Sequence, residues 1–240
     1  SDVYKRQYRT RIGSSQDPEV FIDPNTFSDD GTVALRGLSF TKDGSLLAYM
    51  ITEGGSDWRK IIVMNTSTKE VIGDTLKDVK FSGLSWKNND GFYYSSYDNP
   101  SEENKSELSA KTQYHKMYYH KLNSTQSEDK LVYGGEKEPN RYVSGGVTED
   151  QNYLQIYAGQ NTSGRQLYIK DLITPNSKPV KIQGDYFARA DVLYNKKRTF
   201  YLFTNIDAPN GRIVSVNLSE PNIWKDVVPE SENVMFASSG

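Results

Sequence analysis

Short apolar runs alternate with polar clusters along almost the whole chain. Runs such as Leu46-Leu47-Ala48-Tyr49-Met50, Phe92-Tyr93-Tyr94 and Phe200-Tyr201-Leu202-Phe203 are rich in aromatic and β-branched residues, and Asn, Asp and Gly bound them. That is the pattern of short strands between tight turns, and helical periodicity is almost absent. Four segments share one layout of strand, polar turn and strand: 38–50, 84–96, 146–157 and 192–203. Their turns fall at Asp43, Asp90, Asp150 and Lys196, which are 47, 60 and 46 residues apart. The long middle interval carries a polar insert at about 98–113, rich in Ser, Glu, Asn and Lys. The Asp-Gly pairs at Asp43-Gly44 and Asp90-Gly91 are expected to supply the left-handed backbone that tight hairpins need.

A third and a fourth apolar run follow each hairpin, at 60–65 and 70–72, 116–120 and 130–133, 166–171 and 180–182, 212–217 and 224–228. Four strands per unit, repeated about every 46–50 residues, predict the blades of a β-propeller. A single twisted sheet cannot bury both faces alone, and radial stacking covers them. The fold class read from the sequence is therefore all-β, with blades at about 38–78, 79–140, 141–187 and 188–230. Residues 8–37 read as a lead-in, and 231–240 as the start of a next blade. The run Asp2-Val3-Tyr4-Lys5-Arg6-Gln7 reads like a translated sequencing adapter, so residues 1–7 are set apart from the fold. An irregular β-sandwich is the competing architecture, but it does not predict such a repeat.

Composition removes several functions. Lys and Arg total 29 against 31 Asp and Glu, a net charge of −2, which gives no footprint for nucleic acid or an anionic membrane. Mean hydropathy is −0.72, and no apolar run approaches the roughly 20 residues a membrane helix needs. Cysteine is absent, which excludes disulfides, thiolate zinc sites and a cysteine nucleophile. No Gly-x-Ser-x-Gly elbow and no phosphate-binding glycine loop occur. The two histidines, His115 and His120, are five apart on a strand-like run. They are expected on opposite sides, at the surface or in the insert, and not on a shared metal.

Three places remain chemically suggestive. Asp57, in Gly54-Gly55-Ser56-Asp57-Trp58-Arg59, joins the second and third strands of the first unit. Arg165, in Thr162-Ser163-Gly164-Arg165, occupies the matching link of the third. Such links recur on one rim of a propeller, so the two charges are expected on one face, although on spacing alone a turn-capping carboxylate at Asp57 and a solvated loop charge at Arg165 are the preferred explanations. Phe81, in Val79-Lys80-Phe81-Ser82-Gly83-Leu84-Ser85-Trp86, reads as the opening of an innermost strand and as core, unless that strand end faces the central channel.

Several of these stretches, taken in order, resemble the propeller of the prolyl oligopeptidase family. They are 27–37, Gly55-Ser56-Asp57-Trp58, Val79-Lys80-Phe81-Ser82 with Trp86, Tyr118-Tyr119-His120 with Gln126-Ser127-Glu128-Asp129, and Leu167-Tyr168 with Asp171-Leu172. The resemblance runs from about Tyr8 to about Glu230. It implies about four blades of an expected seven, an incomplete ring, and a catalytic α/β-hydrolase domain outside these residues. It implies a serine peptidase that cleaves short peptides after proline, with the propeller excluding folded proteins. It implies no cofactor or metal, proline-containing oligopeptides as partners, no nucleic acid or membrane partner, and a monomer in the cytoplasm or the periplasm. Carried over singly, Phe81 resembles an aromatic that packs on the substrate, Asp57 and Arg165 resemble charges facing the active-site cavity, and Ile169 falls near a family position often occupied by cysteine. A non-catalytic propeller scaffold, or a related oligopeptidase of different specificity, stays open on the residues alone.

Overall fold

The computed structural model describes residues 6–10, 12–13, 15–97, 113–135 and 137–235. The polar insert lies almost entirely outside the described residues, as do residues 1–5 and 236–240. Among the described residues no α-helix forms, and eighteen strands and two short 3-10 turns carry the chain. The first two strands, β1 (Gln7–Arg9) and β2 (Glu19–Ile22), make a small antiparallel pair. Four sheets follow, each of four strands, each an antiparallel meander in chain order. Sheet one is β3 (Val33–Phe40), β4 (Leu46–Glu53), β5 (Arg59–Asn65) and β6 (Val71–Val79). Sheet two is β7 (Ser85–Lys87), β8 (Gly91–Ser96), β9 (Lys116–Lys121) and β10 (Lys130–Gly134). Sheet three is β11 (Tyr142–Val147), β12 (Tyr153–Gly159), β13 (Gln166–Asp171) and β14 (Val180–Gln183). Sheet four is β15 (Ala190–Lys196), β16 (Thr199–Thr204), β17 (Arg212–Asn217) and β18 (Glu220–Val228). The all-β propeller reading is borne out, and no closed ring is formed among the described residues.

The core lies between sheets. Ala48, Met50, Ile61, Val63 and Leu76 of sheet one meet Trp86, Phe92 and Tyr94 of sheet two. Tyr93 and Met117 of sheet two meet Val143, Leu154 and Ile156 of sheet three. Leu167, Ile169 and Ile182 of sheet three meet Phe200, Leu202, Val214 and Val216 of sheet four. The remaining face of sheet one is covered by Phe21 and Ile22, which pack on Leu47, Tyr49 and Ile51. Strands in the middle of this stack have both faces covered. In β8 all six residues are buried, Gly91 through Ser96, so the usual in-and-out alternation disappears.

Neighbouring sheets are also stitched by polar bonds. Each innermost strand has one edge with no strand beside it, and its amides need partners. The Ser85 hydroxyl accepts from the Val147 amide at 2.8 Å, and the Tyr157 hydroxyl accepts from the Val192 amide at 3.0 Å. The Trp86 indole donates to the Ser39 carbonyl at 2.8 Å. On the rim of the first-to-second-strand turns, Asn89 donates to Asp43 at 2.8 Å and Asn195 donates to Asp150 at 2.7 Å. Hydrogen bonds, first from the Ser45 amide and then from Asn89 and Thr41, hold the Asp43 carboxyl well below the usual range. Burial pushes the Asp150 carboxyl up, but hydrogen bonds from Thr148, Asn152 and Asn195 outweigh it and leave it lowered.

The turn chemistry differs from the sequence expectation at the second hairpin. Gly44 does take the left-handed backbone, with φ 71°. In the second hairpin that role falls to Asn88, φ 49°, and not to Gly91. Gly91 is needed for space: a Cβ there would run into the His120 carbonyl and the Tyr119 ring.

Phe200 is fully buried where sheets three and four meet. Phe200→Ala is therefore expected to cost about 3–5 kcal/mol of stability, whereas Phe187→Ala, at a side chain left 76% exposed, stays within about 0.5 kcal/mol. Denaturant unfolding of the two variants checks the difference.

Candidate functional site: an aromatic and cationic rim

The meander fixes which loops share a rim. First strands run away from one rim, second strands return to it, and the second-to-third-strand links turn there. Asp57 lies between β4 and β5, and Arg165 between β12 and β13. The chain passing from β6 to β7 and the start of β11 reach the same rim, which brings Phe81 and Tyr142 to it.

Phe81 does not open a strand. The innermost strand of sheet two is only Ser85–Lys87, and Phe81 precedes it in a left-handed backbone with φ 53°. That geometry costs a non-glycine residue about 1–2 kcal/mol, and it turns the ring outward, 47% exposed. The ring stands edge-on to Tyr142 at 5.7 Å and to Tyr97 at 6.4 Å. Trp58 meets Tyr97 at 6.5 Å in the same manner. The Lys80 ammonium sits 5.2 Å from the Trp58 ring centre and 5.4 Å from that of Phe81. It also lies 3.9 Å from the Asp57 carboxylate, which is mostly exposed. An ammonium between two aromatic faces is attracted to both.

His115 holds this cluster from beneath. Its Nδ1 accepts from the Val143 amide at 2.9 Å, and its Nε2–H faces the Lys80 carbonyl at 3.0 Å. Those partners, an acceptor role at one nitrogen and a donor role at the other, assign a neutral ring. One buried imidazole thus ties the residue before Phe81 to the residue after Tyr142. Burial pushes the His115 pKa down, and the Lys80 carbonyl only partly opposes this.

The two histidines are corrected by the structure. Both are 2% exposed, neither surface nor insert. His120 pairs with the Asp129 carboxylate at 2.7 Å, and the same carboxylate accepts from the Tyr94 hydroxyl at 2.7 Å. The partners are Val143 on β11, Lys80 in the link after β6, Asp129 just before β10 and, through that carboxylate, Tyr94 on β8, so the five-residue spacing of the two histidines could not reveal them. Among the described residues no group of three or more His, Asp or Glu side chains could hold a metal ion.

Arg165 lies past Tyr142. Its guanidinium donates to Asp191 at 2.6 Å and stacks on the Tyr157 ring at 4.0 Å. Tyr142, Tyr157, Gly164, Arg165 and Arg189 line a cleft of about 380 Å3. Asp57, Lys80, Phe81, Tyr142 and Arg165 therefore form one continuous strip. Ile169 is not part of it. It is fully buried between sheets three and four, opposite Gln155 and Val180 in the ladder. Lys80, Trp58, Tyr142 and Arg189 were not singled out from the sequence. Arg189, just before β15, and Asp191 within it carry a local signal, two opposite charges two residues apart, and they pair at 2.7 Å. The strip offers ring faces and cationic N–H groups, which is the chemistry of binding and not of bond breaking.

The profile of the family described as "Prolyl oligopeptidase, N-terminal beta-propeller domain" matches residues 2–240. The chain belongs to this family. It is 47% identical over 232 residues to a prolyl endopeptidase of Elizabethkingia miricola, covering 96% of this chain and 32% of that protein. It is 33% identical over 248 residues to prolyl oligopeptidase A of Galerina marginata, covering 93% of this chain and 33% of that one. Among solved structures, prolyl oligopeptidase B from Galerina marginata bound to a 25mer macrocyclization substrate superposes with TM-score 0.81 at 26% identity, over 92% of this chain and 32% of that one. The chain thus spans about a third of the length of the curated relatives it matches.

Two tests follow from this geometry. At φ 53° glycine is relaxed and alanine is not, so Phe81→Gly is expected to be more stable than Phe81→Ala by about 1 kcal/mol, the reverse of the order in an ordinary strand. Paired unfolding curves check it. The lowered His115 pKa gives stability that is full above the unfolded value of about 6.5 and is lost as pH falls through the folded one. His115→Gln keeps a donor and an acceptor but does not titrate. Its stability is expected to fall less than that of the parent between pH 7 and pH 5, measured by urea midpoints.

Proposed function

We propose that this chain is the propeller wall of a serine peptidase that cleaves short peptides on the C-terminal side of proline. In this reading an α/β-hydrolase domain supplies the serine nucleophile, its base and the oxyanion hole. The propeller supplies orientation and exclusion. The observation that carries the reading is the strip from Asp57 through Lys80, Phe81 and Tyr142 to Arg165 on one rim, in a chain of the prolyl oligopeptidase family. Phe81 is held outward at a conformational cost, which suits a ring meant for a ligand and not for the core. A peptide laid on it would be aligned for attack, and an extended chain would fit where a folded protein would not.

The test is kinetic. In the full-length peptidase, Phe81→Ala is expected to raise KM for a proline-containing hexapeptide roughly tenfold, the loss of about 1.4 kcal/mol of ring contact, and to change a minimal Gly-Pro reporter little. The 240-residue chain by itself turns over neither substrate. Equal effects on both substrates, or turnover by the chain alone, would contradict the proposal.

A further inference from the structure

The cleft beside Tyr142 has an unbalanced charge. Asp191 accepts from Arg165 Nη2 at 2.6 Å through Oδ1 and from Arg189 Nη2 at 2.7 Å through Oδ2. One carboxylate neutralises one guanidinium, so this wall keeps a positive charge in excess. Each guanidinium has five N–H donors, and Asp191 takes one from each. The Tyr157 ring covers a face of Arg165 and leaves its N–H edge. Arg165 and Arg189 are 38% and 52% exposed at their side chains, while Asp191 is 15% exposed. The shared acid is therefore set back, and the two cations stand forward.

The cleft is also shaped. Its wall is held by the Arg165 amide donating to the Ala188 carbonyl at 3.0 Å. Gly164 permits this approach, since a Cβ there would collide with the Ala188 backbone. Tyr142 is shared between the cleft and the Phe81 ring, so a chain resting on Phe81 has the cleft as its next stop.

We infer that this cleft is a carboxylate-binding subsite for a peptide lying along the rim. Its occupant is a peptide carboxylate, from a glutamate side chain or from the C-terminus, received by Arg165 and Arg189 in the forked geometry that guanidinium groups favour. The inference rests on the proposal that this rim faces a peptide, and the experiment separates the two.

Three proline-containing hexapeptides are titrated into the 240-residue chain by calorimetry. One has blocked ends and a single Glu, one is its blocked Gln twin, and one is the Gln peptide with a free C-terminus. The expected result is that at least one carboxylate peptide binds about fivefold more tightly than the blocked Gln peptide, and which one does so identifies the source. Arg189→Gln should abolish that preference, Arg189→Lys should keep part of it, and Phe81→Ala should weaken all three peptides alike. Equal affinity for all three peptides overturns the carboxylate subsite and leaves the peptide-facing rim standing. Binding of none overturns both. A preference that survives Arg189→Gln also overturns the assignment.

Discussion

A four-stranded twisted sheet presents two apolar faces, and in this chain each sheet relies on its neighbours to cover them. Phe92 is buried between sheets one and two, Ile156 between two and three, and Phe200 between three and four. At the beginning of the stack Phe21 and Ile22 cover what would be the free face of sheet one. At the other end Tyr194, Ile223 and Val227 of sheet four stay about half exposed. Burial of this kind is non-directional and would tolerate sliding between sheets. The polar stitches remove that freedom. Ser85 to Val147, Tyr157 to Val192 and Asn195 to Asp150 each fix one sheet against the next at a single register.

The candidate site grows out of the same requirement. Val143 lies on an innermost strand and needs an acceptor for its amide. His115 of the neighbouring sheet provides it and uses its other nitrogen on Lys80. The bond that satisfies a strand edge thereby sets the spacing between Phe81 and Tyr142. A site built this way is preorganised by the interface between sheets, and its strained element, the left-handed Phe81, is held by rings on both sides. Lys80 adds attraction to Trp58 and Phe81 and lies beside Asp57, which links the first sheet to the cluster.

Much of the architecture was legible in the sequence because it rests on local signals. The repeat of apolar runs and turns located four sheets, and the turns at Asp43 and Asp150 were matched by their place in that repeat. Asp57 and Arg165 were placed on one rim from connectivity alone. What could not be read depended on distant partners. The burial of His115 and His120 needs Val143, Lys80 and Asp129. The position of Phe81 needs a backbone reversal where the apolar pattern suggested a strand. Ile169 is different, since its own strand gives the answer. Leu167 and Ile169 alternate with half-buried Tyr168 in β13, and a residue on that inward face has no access to the rim.

The most direct test of the account is amide hydrogen exchange of the chain with and without a saturating proline-containing hexapeptide. The account predicts slowing confined to the rim, at about 54–59, 80–84, 142 and 161–165, with the opposite turns at 42–45, 88–90 and 149–152 unchanged. Slowing at those opposite turns, or at neither rim, would contradict it.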